Sequence, residues 1–130
     1  MGITASILLS VFVALLITEN YGYGLWMISR PIFAGPLIGL ILGDVQTGLT
    51  VGASVELMFM GVLPIGGSVP PNAQIAGIIG TIYAIEANST SLGISLALPI
   101  GILAQFLIML AWNINIYLVH KADKSIKEGN

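Results

Sequence analysis

Glu56 is an ionisable side chain set inside the apolar stretch Leu49–Ile65, and the helix-breaking run Pro64-Ile-Gly-Gly-Ser-Val-Pro-Pro-Asn72 follows it. No other feature narrows the available folds so far. A carboxylate at membrane depth costs about 2.5–3.5 kcal/mol on insertion scales, so it faces protein or a water-filled cavity rather than lipid. Irregular backbone at that depth is tolerated in the same two settings. Together the two features point to a solute pathway.

The membrane premise rests on composition. Of the 130 residues, 56% are hydrophobic and 8% charged, with a mean hydropathy of +0.98. A soluble domain carries roughly 25% charged residues, so this chain cannot cover a globule with a solvated surface. Four Lys/Arg against six Asp/Glu give a formal net charge of -2, which leaves no basic patch for nucleic acid. Cysteine is absent and His120 is the one histidine. That excludes a disulfide framework, a thiolate nucleophile and a His- or Cys-based metal centre. No cofactor is implied. No phosphate-cradling loop or nucleophile–base pair is legible, and a Glu56/Asp44 acid–base pair has no supporting motif.

A membrane-spanning helix needs about 20 residues, and that length sorts the apolar runs. Ile3–Ile17 reads as a retained first helix rather than a cleaved signal, because no Lys or Arg precedes it and Thr18-Glu-Asn-Tyr21 follows. Ile32–Leu42 is too short to cross, is broken by Gly35, Pro36 and Gly39, and ends at Gly43-Asp44. Leu49–Ile65 carries Glu56, and Ile75–Ile85 is short again. Leu92–Val119 spans comfortably, with Pro99 as a kink point. The fold class expected is therefore an all-α membrane protein, with transmembrane helices and short re-entrant or discontinuous helical segments. Residues 1–130 form a single membrane domain with a charged tail over 120–130. Lys121, Lys124 and Lys127 favour a cytoplasmic position for that tail.

Gly35, Gly39 and Gly43 repeat every four residues, a spacing that lets helices approach closely in lipid. Gly48 and Gly52 continue the step, and Glu56 falls at the next one. A four-residue step holds one helix face, so Glu56 is expected on a packing face.

Four residues are candidates for binding a solute. Glu56 can accept hydrogen bonds from hydroxyls, carry a proton or pair with a cation; Arg30 reaches it only through the fold. Asn72 and Gln74 follow Pro70-Pro71 and offer donors and acceptors together, although Asn72 also suits a helix N-cap. Asp44 is the fourth, with turn and helix-end duty as its alternative. Glu19, Glu86, Asp123 and Glu128 read as solvated charges. Gln105, Asn113 and Asn115 are expected to bond across helices.

The stretch Arg30-Pro-Ile-Phe-Ala-Gly-Pro-Leu-Ile-Gly-Leu-Ile-Leu-Gly-Asp44, with Thr47-Gly48, Gly52, Val55-Glu56-Leu57, Gly61, Ile65-Gly66 and Pro70-Pro-Asn72, resembles a known family. It is similar to the membrane IIC component of the mannose/fructose/sorbose family of the bacterial sugar phosphotransferase system. Pro70-Pro71-Asn72 is closest in form to the N-acetylgalactosamine branch. The resemblance implies a permease for a hexose or hexosamine in the bacterial inner (cell) membrane, multi-pass and working in a homo- or hetero-oligomer. It also implies a IID membrane subunit, and soluble IIB and IIA phosphocarriers, with IIB phosphorylating the sugar. Glu56 matches the family's glutamate in its Gly-x-x-x-Glu stretch, and Asn72 the polar position after the prolines. The likeness covers the N-terminal half of such proteins, so the implied unit is a half-permease. A truncated non-transporting remnant, a small oligomeric channel subunit and an intramembrane enzyme are the other readings.

Overall fold

A computed structural model describes residues 2–19, 22, 24, 26–63, 65, 66 and 68–127. They form five helices in chain order: α1 (Ile3–Thr18), α2 (Pro31–Leu42), α3 (Val45–Phe59), α4 (Ala73–Glu86) and α5 (Thr90–Lys127). No strand occurs among the described residues. Length separates the helices into two kinds. At 1.5 Å per residue, α2, α3 and α4 reach about 18 to 22 Å, short of a hydrocarbon core of about 30 Å. α5 has 38 residues and is the one described helix long and apolar enough to cross a membrane.

Local chemistry sets the helix ends. Pro31 opens α2 at its first turn, where its missing N–H costs nothing. Gly43 closes α2 at φ 87, a left-handed cap that glycine adopts without strain. Asp44 then caps α3, accepting from the Thr47 N–H at 3.0 Å and the Thr47 hydroxyl at 2.5 Å. Asn72 caps α4 through the Ile75 N–H at 2.9 Å. α2 with α3 and α4 with α5 pack as two helical hairpins, α4 also packs on α2 and α3, and α1 leans on α2.

The α2/α3 seam is backbone against backbone. A Cβ added to Gly35 would lie 2.9 Å from the Gly52 Cα, and one on Gly48 would lie 3.0 Å from the Gly39 Cα. Gly52 would likewise press on the Pro31 carbonyl. Beyond this seam the core divides in two. Val51, Val55 and Phe59 pack on Ala76, Ala84 and Ala97; Leu9 and Leu16 of α1 pack on Ala34, Ile38 and Ile78.

Several expectations need correction. α2 is not broken by Gly35, Pro36 and Gly39 but runs through all three. In lipid an interrupted backbone has no water to bond, and the glycines serve the seam instead. Gly43 is a cap with open space around it, not part of the packing repeat. The Glu56 segment starts at Val45 and stops at Phe59, so Leu49–Ile65 was shifted toward the loop. The tail, which the sequence leaves free to continue as a helix or to fray, stays helical to Lys127. Asn113 bonds back to the Met109 carbonyl in its own helix at 2.9 Å, whereas Gln105 does reach across, to the Val69 carbonyl. Glu19 is buried rather than solvated. Glu128 lies outside the described residues, as do Asn20, Tyr21, Pro64, Gly67 and 129–130.

The seam yields a direct prediction. Gly48→Ala forces the two backbones apart and is expected to destabilise the fold by about 1–3 kcal/mol, the usual range for overpacking. Gly61, with nothing within 4 Å of an added Cβ, should accept alanine without loss. Unfolding of the purified variants in mixed micelles, followed by helical circular dichroism, compares the two. Equal stabilities would remove the seam from the account.

Candidate functional site

The ends of three helices, one loop and a face of α5 line an open cavity of about 320 Å³, mostly apolar with a few polar groups. Arg30 and Pro31 enter it from the start of α2, Phe59 and Val62 from the end of α3, and Val69–Asn72 from the loop. Ala73 and Gln74 open α4 there, and Ile108 and Trp112 of α5 close the far side. The loop is drawn to α5 twice: the Asn72 N–H donates to the Gly101 carbonyl at 3.0 Å, and Gln105 donates to Val69. Two helix N-termini, with their partial positive charge, meet at this cavity.

Glu56 sits just behind the wall. Arg30 Nε donates to Glu56 Oε1 at 2.7 Å, and Arg30 Nη2 forms an ion pair with the same oxygen. The Glu56 side chain is 10% exposed and that of Arg30 is 41% exposed. The arginine is therefore the member that faces the cavity, with the carboxylate aiming it. Glu56 Oε2 is buried and has no hydrogen-bond partner among the described residues. A buried unsatisfied acceptor costs about 1–3 kcal/mol, more when charged.

The other candidates divide between cavity and scaffold. Asn72 lines the cavity while its Oδ1 caps α4, which leaves the two Nδ2 donors outside the cap bond. Gln74 also lines it, and its Nε2 donates to the buried Ser29 hydroxyl at 2.9 Å. Asp44 is not brought to this cavity. It caps the opposite end of α3, about 18 Å from Glu56 along the helix, with both oxygens engaged by Thr47.

Arg30, Phe59 and Trp112 are site residues that the sequence did not single out as such. For Arg30 the signal was present: a lone arginine and a lone intramembrane carboxylate are each too costly to leave unpaired. Trp112 had no signal beyond being aromatic in a long apolar helix. A larger groove of about 500 Å³ lies between α4 and α5, lined by side chains such as Ile79, Leu103 and Leu107. Apart from Tyr83 it offers no side-chain polar group to a solute.

Comparison with known proteins identifies the family. The family described as the PTS system sorbose-specific IIC component matches residues 3–130. The mannose-specific EIIC component of Escherichia coli (strain K12) is 38% identical over 102 residues, which cover 78% of this chain and 38% of that protein. The putative N-acetylgalactosamine permease IIC component 2 of the same organism is 35% identical over 101 residues, 77% of this chain and 76% of that one. In the cryo-EM structure of the mannose transporter ManYZ with microcin E492, one chain superposes with a TM-score of 0.83 at 30% identity. The match covers 100% of this chain and 52% of that chain. The chain thus spans about half the length of that solved relative and 38% of the mannose-specific one. An all-helical membrane fold of short hairpins, matched to one family profile over nearly its full length, places this chain in the sorbose-specific IIC component family of the PTS system.

Proposed function

We propose that this chain is the N-terminal half of a IIC sugar permease of a phosphotransferase system, supplying one wall of a site for a hexose or hexosamine. The Arg30–Glu56 pair carries this reading, because it sets a charged donor at a cavity in an otherwise apolar chain, beside Asn72 and Gln74. A sugar both donates and accepts hydrogen bonds. Guanidinium N–H groups and the Asn72 amide suit its oxygens, and Glu56 behind the wall holds the guanidinium in place. Phe59 and Trp112 give the cavity apolar faces against which the carbon skeleton of a ring can pack.

The same reading places the chain in the bacterial inner membrane as one part of a multi-pass assembly. Its partners there are a IID membrane subunit and the soluble IIB and IIA phosphocarriers. On this reading phosphorylation falls to IIB. The exposure of Arg30 supports the need for partners. A half-exposed ion pair at membrane depth must be covered by further protein or by water.

Uptake of labelled hexoses and hexosamines by cells carrying the complete locus, with and without this chain, tests the function. Uptake is expected to require it. Within that assembly Glu56→Gln and Arg30→Lys should each weaken apparent sugar affinity about tenfold to a hundredfold, the range for losing a charge-assisted hydrogen bond of about 1.5–3 kcal/mol. The double variant Arg30→Gln/Glu56→Gln removes both charges, so it should recover stability without recovering sugar affinity. Recovery of both would make the pair a structural strut.

The lone chain in liposomes is expected to pass no hexose specifically, because a sugar site draws converging polar groups from more elements than it supplies. Adding the remaining IIC half and IID should start uptake, and IIB should be needed for phosphorylation. Saturable, sugar-specific flux through the lone chain would make it a minimal carrier instead.

A further inference from the structure

α1 ends on a carboxylate, at the helix position that favours one least. Glu19 is the C-cap residue, beside the partial negative charge of the helix end, yet it is 8% exposed. Its oxygens accept from the Ile28 N–H at 3.1 Å and the Ser29 N–H at 2.8 Å. Burial pushes the carboxyl up, and hydrogen bonds from Ser29, Ile28 and Trp26 outweigh that, holding it below the usual range. The group is thus an ionised acceptor for a row of backbone donors.

Those donors belong to a strained turn. Met27 has φ 63, a left-handed conformation uncommon for any residue with a side chain. The turn closes where the Arg30 N–H donates to the Met27 carbonyl at 3.2 Å. What it presents is the polar equipment of the cavity. Ser29, fully buried, receives the Gln74 Nε2, and Arg30, the next residue, holds Glu56.

We propose that Glu19 is a positioning residue for the site: its carboxylate clamps the Met27–Arg30 turn, and the turn aims Arg30 at Glu56 and Ser29 at Gln74. The consequence for sugar rests on the permease reading above. The clamp itself is a matter of geometry and is measurable without sugar.

Arg30 is the one arginine in the chain, so its Nε–H gives a single resonance in the ¹⁵N-labelled full chain in lipid nanodiscs. Glu19→Gln keeps the size of the side chain but turns one acceptor into a donor facing a backbone N–H. The expected result is solvent exchange of the Arg30 Nε–H faster by about tenfold or more, with helix content unchanged. Adding Met27→Gly, which takes the left-handed conformation without strain, should restore part of the protection, because it relieves the turn but does not replace the lost acceptor. Should Glu19→Gln alone fail to insert, the double variant against Met27→Gly alone gives the same reading, with slower exchange in the variant that keeps Glu19. Unchanged Arg30 exchange on loss of Glu19, in whichever background inserts, would overturn the proposal. Sugar uptake by the complete assembly separates the two ideas. Loss of Arg30 protection in Glu19→Gln, together with normal uptake in Arg30→Lys, upholds the clamp and removes the sugar reading.

Discussion

A carboxylate held in lipid has to be answered by a cation, and the placement of the short helices follows from how Glu56 is answered. Its partner, Arg30, stands 26 residues earlier in the chain, so the pair forms only if α2 doubles back along α3. The glycine seam brings the two helices close enough, and the register puts the start of α2 beside the last turns of α3. Breaking such a pair by removing one member is costly, typically about 3–5 kcal/mol, because the other charge is left stranded. The pair therefore both demands the hairpin and reports that it has formed.

From that pair the cavity follows. The start of α2, the end of α3 and the start of α4 must share one level, since Arg30 touches Glu56 and Ser29 touches Gln74. The irregular loop between α3 and α4 lies at the same level, hooked to α5 through Gln105 and the Gly101 carbonyl. Non-helical backbone is accommodated where protein covers it and a cavity adjoins it. The site is the place where these helices stop.

Much of this was legible in the sequence because it is local. The α2 boundary at Gly43-Asp44, the Asn72 cap, the short lengths of α2 and α4 and the inward face of Glu56 all follow from spacing within one segment. What was missed depends on contacts distant in sequence. Glu19 looked solvated because it follows an apolar helix, and nothing in Ile28-Ser29 announces that their N–H groups converge on it. Arg30 was visible as the only arginine, but its target was fixed by topology. Asn113 failed in the opposite direction: a cross-helix bond was expected, and its own helix offered the Met109 carbonyl at closer range.

The interleaved glycines also limit how the hairpin can change over time. Elsewhere in a packed core, a larger side chain on one element can be absorbed by a smaller one opposite. Where Gly35 and Gly39 meet Gly48 and Gly52, each missing Cβ is already filled by the partner's backbone, and no residue is smaller than glycine. No compensating second substitution exists for a change at any of the four. Change is left to positions around the seam, such as Phe59, Asn72 and Trp112, whose side chains reshape the cavity without reopening the hairpin.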